Sequence, residues 1–191
     1  MNRDKGAFEE IARGIRSGDP AIKEGVARVL QRLTVPRRTP EAAPEPGGDW
    51  YVIRVELVSG RADELEPPPG RDILISPQHT FRQFAETINS AFARWDLGHL
   101  YMFRLSDGTA IGIALEDLPH REAARTKIGR RGEGEVFEYE FDFGDGWLHR
   151  CTVLEAEVTP EDVYGVRPKG PVAVWGWGSI PDQYGRTTPD G

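Results

Sequence analysis

The residues best suited to chemistry in this chain gather in one short string, FDFGDGWLH, which supplies Asp142, Asp145 and His149. Two carboxylates and an imidazole are the donor set of a divalent cation, or of general acid–base work. Upstream of them Phe137, Tyr139, Phe141 and Phe143 alternate with Glu138, Glu140 and Asp142, the period of a half-buried strand. Asp145-Gly146 is hairpin-turn chemistry. A two-residue turn there sets Asp142 opposite His149 and Glu140 opposite Cys151 on the returning strand. If the chain holds a metal, Asp142, Asp145 and His149 are its ligands. The competing reading makes Asp145-Gly146 a turn and Asp142–His149 a surface contact. Asp96 and His99 form a second polar pair beside Trp95; His99 could be a ligand, a base or a hydrogen-bonded, half-buried histidine.

Other chemistry is missing. No Gly-x-Ser-x-Gly string, phosphate loop or dinucleotide fingerprint occurs. The single cysteine, Cys151, falls inside a strand pattern, where a small buried hydrophobe is expected rather than an active thiol. No cofactor is predicted, a divalent metal being the one open case. Four aromatic residues are candidates for recognition: Trp147 beside the turn, and Trp175, Trp177 and Tyr184 in the Gly- and Pro-rich tail GPVAVWGWGSIPDQYGR. Their alternative is packing.

The elements that must position these groups are legible in outline. Tyr51, Ile53, Val55 and Leu57 alternate in a strand beginning at Trp50. Ile73 to Ile75 make a second strand, stopped by Pro77. Thr80 caps a helix whose Phe81, Phe84, Ala85, Ile88 and Phe92 share one side. Leu100 to Leu105 and Ala110 to Ile113 form a hairpin about Asp107-Gly108. Before Trp50, residues 34–49 contain four prolines and two glycines and read as a linker. Ahead of it lie two short amphipathic helices. Residues 1–40 carry nine basic and five acidic side chains, against a net −7 for the whole chain of 191 residues. That contrast marks a boundary and leaves the N-terminal arm as the one part suited to DNA.

The same residues carry a resemblance. EYEFDFGDGWLHRCTVLE, together with Trp95-Asp96, His99-Leu100 and Phe103 after the 81–92 helix, resembles the plasmid pRiA4b ORF-3-like family over roughly residues 50–158. Two positions depart from its pattern. Tyr101 stands where many members carry the second histidine of a His-Leu-His string. Ile180-Pro181-Asp182-Gln183-Tyr184-Gly185 replaces a Pro-Pro-Glu-Asp-x-Gly-Gly string. Some members of that family resemble passenger proteins of insertion elements or plasmid-borne genes; the resemblance implies a fold and does not by itself imply any particular activity.

The expectation is therefore an α+β domain over 50–191, an antiparallel sheet of about five to seven strands packed on a central helix, with a Gly/Pro/Trp-rich tail from 159. A helical N-terminal segment, 1–33, is appended through the 34–49 linker. No apolar run reaches the roughly 20 residues of a membrane span and no secretory h-region follows Met1, so a cytoplasmic protein is the default. The leading function is a non-enzymatic binding or interaction module with a protein partner. The alternatives are a metal-dependent hydrolase or nuclease built on Asp142, Asp145 and His149, with His99 as a further candidate, and a DNA-associated accessory protein acting through residues 1–40.

Overall fold

The computed structural model describes residues 50–113 and 120–186. The N-terminal helices, the linker and the basic 1–40 arm lie outside the described residues. Strands are β1 (Trp50–Gly60), β2 (Asp63–Glu64), β3 (Gly70–Ile75), β4 (Tyr101–Arg104), β5 (Ala110–Gly112), β6 (Arg121–Glu122), β7 (Val136–Phe141), β8 (Trp147–Val158) and β9 (Val172–Trp177). Helix α1 spans Phe81–Ala91 and the short α2 spans Pro160–Tyr164. The strands form one sheet in the order β6-β5-β4-β7-β8-β1-β3-β9, with β2 paired to β1.

This departs from the expected architecture in two ways. The sheet has nine strands and is mixed, because β5 and β6 run parallel. It also dominates the domain, with α1 laid over one face rather than organising the core. Two-residue strands such as β2 and β6 carry too little pattern to be read from sequence. Strand β9 falls in the segment read only as a Gly- and Pro-rich tail, where the surrounding glycines and prolines hide its pattern.

Helix α1 forms where its cap predicts. Gln83 N–H donates to Thr80 Oγ1 at 3.2 Å and Thr80 N–H donates to Gln83 Oε1 at 2.9 Å, a reciprocal capping box. Its Phe81, Phe84, Ala85 and Ile88 are buried with Phe137, Tyr139 and Phe141 of β7 and with Ile53, Val55, Leu57, Ile73 and Ile75 of the neighbouring strands. Phe84 stacks on Phe103 at 5.6 Å, and the Tyr139 hydroxyl donates to Asn89 Oδ1 at 2.9 Å. Burying each such side chain is worth about 1.5–3 kcal/mol.

The other face is more polar. Arg54 pairs with Asp72 across β1 and β3, and Arg150 with Glu56 across β8 and β1. Arg104, itself buried, pairs with Glu138 and reaches toward Glu140. Trp50, Val52 and Leu74 form a smaller apolar cluster beside these charges.

Candidate functional site

The hairpin carrying the acidic string does not turn in two residues. Strand β7 ends at Phe141 and β8 starts at Trp147, so residues 142–146 form the loop. Asp142 takes a left-handed conformation, φ 55°, and its carbonyl accepts the Gly146 N–H. An aspartate tolerates that conformation better than most residues, because its side chain can bond the backbone just ahead. Here Oδ1 accepts the N–H of Gly144 at 3.0 Å.

The longer loop changes the register by an odd number of residues, and an odd shift moves a side chain to the other face. Tyr139 lies opposite His149, Phe141 opposite Trp147 and Phe137 opposite Cys151. The expected Asp142–His149 and Glu140–Cys151 pairs therefore do not form. His149 is fully buried in the core, its ring 4.8 Å from that of Phe92 and its Nδ1 3.3 Å from the Tyr139 carbonyl. Burial, reinforced by the nearby Arg94 charge, pushes its pKa down to about 3. Phe143 also leaves the expected face and packs with Leu100, Met102 and Ala110. Among the described residues, no group of three or more His, Cys, Asp or Glu side chains is placed to hold a metal ion.

Asp142 meets a different histidine. His99 Nδ1 lies 3.2 Å from Asp142 Oδ2, and His99 Nε2 lies 2.9 Å from the Tyr184 hydroxyl. That hydroxyl donates to Asp96 Oδ2 at 2.8 Å. A tyrosine hydroxyl has one hydrogen, and here Asp96 accepts it, so the Tyr184 oxygen faces His99 Nε2 as an acceptor. Burial, followed by the Asp96 hydrogen bond and carboxylate charges, pushes the Tyr184 hydroxyl up to about 12. Asp96 is held below the usual carboxylate range, chiefly by the Tyr184 hydroxyl and the Gly98 amide. Asp145 is shifted the other way, by burial and the adjacent Asp142 charge.

The tail segment 180–186 closes over this network. Gln183 is fully buried; its Oε1 accepts the N–H groups of Trp95 and Asp96, and its Nε2 donates to the Asp96 carbonyl. Arg94, also buried, donates to the carbonyls of Phe92 and Pro181 and lies 4.0 Å over the Trp147 ring. Its pKa is lowered to about 10 by burial. Sequence reasoning grouped Asp96, His99 and Asp142 as candidate polar residues together with Asp145 and His149, set Tyr184 apart among the recognition aromatics, and missed Arg94 and Gln183. Nothing in the local pattern marks an arginine or glutamine that will be buried by a segment some 90 positions away.

The candidate aromatics separate. Trp147 is buried against Gly60, where a Cβ would come within 2.1 Å of the indole. Tyr184 belongs to the polar network. Trp177 lies over Gly70, beneath Arg54 at 4.8 Å, and its indole N–H donates to the Pro68 carbonyl at 3.0 Å. Trp175, 5.2 Å from Trp177, is 58% exposed.

These features define a class: a one-sheet α+β protein whose two acidic and aromatic strings meet under a C-terminal strap. The chain belongs to the plasmid pRiA4b ORF-3-like family, whose model matches residues 50–181. It is 26% identical over 109 residues to an uncharacterised protein, y4hQ, of Sinorhizobium fredii (strain NBRC 101917 / NGR234), covering 53% of each chain. The chain thus spans about half the length of the curated relative it matches. The crystal structure of a protein of unknown function, MM3350 from Methanosarcina mazei Go1, has a similar fold. The TM-score is 0.54 at 19% identity, over 69% of this chain and 70% of that one. No helix among the described residues is long and apolar enough to cross a membrane.

Proposed function

We propose that this protein is a non-catalytic interaction module that takes an extended protein segment along strand β9. The observation that carries the reading is the exposed Trp175 indole on an uncharged strand, VAVWGW, that ends the sheet among the described residues. Edge strands ordinarily carry lysine, proline or a bulge that blocks further pairing. This one has a bulge opposite Asp72 and Ile73 but no charge and no proline. Shallow depressions flank it. One, of about 380 Å³, is lined by Arg71, Val174, Trp175 and Trp177; another, of about 540 Å³, by Glu86, Thr87, Pro171 and Val172. An added strand would gain main-chain hydrogen bonds, with the depressions selecting its side chains.

The hydrolase reading has less support, because His149 sits in the core and both nitrogens of His99 face Asp142 and Tyr184. The test is an array of immobilised ten-residue peptides probed with the full chain. Bound peptides should be extended segments, and Trp175→Glu should abolish their binding without lowering the melting temperature. Binding that survives Trp175→Glu would sink the proposal.

A further inference from the structure

The two ends of the sheet are built differently. One end is β6, two residues long and made of Arg121 and Glu122. The side strand β2 is also two residues, Asp63 and Glu64, both exposed. Short, charged strands are a usual means of keeping a sheet from pairing further. The other end, β9, runs six residues without a charge. Its one irregularity is the extra residue Val174, because Trp175 lies opposite Asp72 and Ala173 opposite Ile73. Beyond that bulge Trp175, Gly176 and Trp177 keep regular register with Asp72, Arg71 and Gly70.

Resting on the β9 reading above, we propose that the strand received there is β9 of a second copy of this chain, paired antiparallel about a two-fold axis at Gly176. The tripeptide Trp175-Gly176-Trp177 reads the same in both directions. A two-fold contact must be self-complementary, residue i meeting j while j meets i. Centred on Gly176, it sets each Trp175 opposite the second copy's Trp177. Trp175 and Trp177 stand on the sheet face that carries Asp72 and Arg54. An axis normal to the sheet leaves that face common to both copies, so four indoles meet along one row. Trp177 is already packed over Gly70 and beneath Arg54. Trp175, 5.2 Å from it and 58% exposed, is the ring left to cover. Charge points the same way. The chain carries a net −7, so copies repel unless they meet on a neutral surface. Strand β9 is uncharged, and Arg54 and Asp72 beside it neutralise each other at 2.9 Å. A contact made by one strand lies at the small end of specific interfaces, below ~1,200 Å² in total, so the dimer should form and dissociate with concentration.

The experiment is sedimentation velocity of the full chain from low to high micromolar concentration. The expected result is a reversible monomer–dimer equilibrium. Trp175→Thr should raise its dissociation constant roughly tenfold or more, because two aromatic pairs are lost per dimer. Trp175→Glu should leave only monomer at an unchanged melting temperature. The geometry is read separately by a nitroxide on Thr152→Cys; the native Cys151 is buried and stays unlabelled. Thr152, Arg54, Asp72 and Trp175 lie in one row across β8, β1, β3 and β9. Three strand spacings within each copy and one between copies put the two labels roughly 34 Å apart, and electron–electron double resonance should give that distance. A chain that stays monomeric overturns the proposal. So does a dimer that survives Trp175→Glu or holds the labels at a clearly different distance. In each of those cases the wider β9 reading still stands if an array peptide binds and Trp175→Glu abolishes it, and falls with the proposal if none binds.

Discussion

Burial of His149 makes this protein sensitive to mild acid in a calculable way. In the folded chain the imidazole is fully buried and its pKa is depressed to about 3, with burial the largest cause. In the unfolded chain an imidazole titrates near ~6.5. The folded pKa is the lower one, so the unfolded state takes up the proton first. The contribution to stability is therefore complete above pH ~6.5 and is lost as pH falls toward ~3. Over that window the slope approaches about 1.4 kcal/mol per pH unit for one proton. Between pH 7 and pH 5 the loss is about 2 kcal/mol, a substantial part of a typical domain's stability of ~5–15 kcal/mol. Carboxylates titrate nearby, so the wild type alone does not isolate the effect. His149→Leu removes the group and keeps an apolar side chain in the Phe92 contact. Urea unfolding of both proteins at pH 7, 6 and 5 gives the comparison. The wild type should lose about 2 kcal/mol more than the variant over this range. Parallel losses in the two proteins would refute the reasoning and return His149 to a solvated position.

Two further substitutions probe the scaffold. Gly60→Ala puts a Cβ within 2.1 Å of the buried Trp147 ring; overpacking should cost about 1–3 kcal/mol, and a melting temperature equal to wild type would show that the ring moves aside freely. Tyr184→Phe removes the hydroxyl joining His99 to Asp96 and should cost about 1–2 kcal/mol while faster amide exchange appears at Trp95 and Asp96; unchanged exchange would show that the strap holds without that hydroxyl.

The alternating apolar residues of β1 and β7, the Thr80 cap and the Asp107-Gly108 turn were determined by the sequence, because each is specified by neighbours within a few positions. The hairpin about Asp107-Gly108 closes as its residues require, with Gly108 at φ 83° and Thr109 N–H bonded to Asp107 Oδ1. The string FDFGDGWLH announced a turn but not its length. Asp145-Gly146 suits a two-residue hairpin, yet Asp142 turns the chain earlier, and which turn wins depends on what the returning strand can bury. Placing His149 against Phe92 and Trp147 against Gly60 fills the core, whereas the shorter turn would send both outward. That contest is decided by helix α1 and strand β1, far away in the chain. The same holds for His99, whose partners come from the 142–146 loop and the 180–186 strap. Local pattern made each of these residues a candidate, and only tertiary packing chose Asp142 and Tyr184, because a polar contact across 43 or 85 positions leaves no periodic trace in either segment.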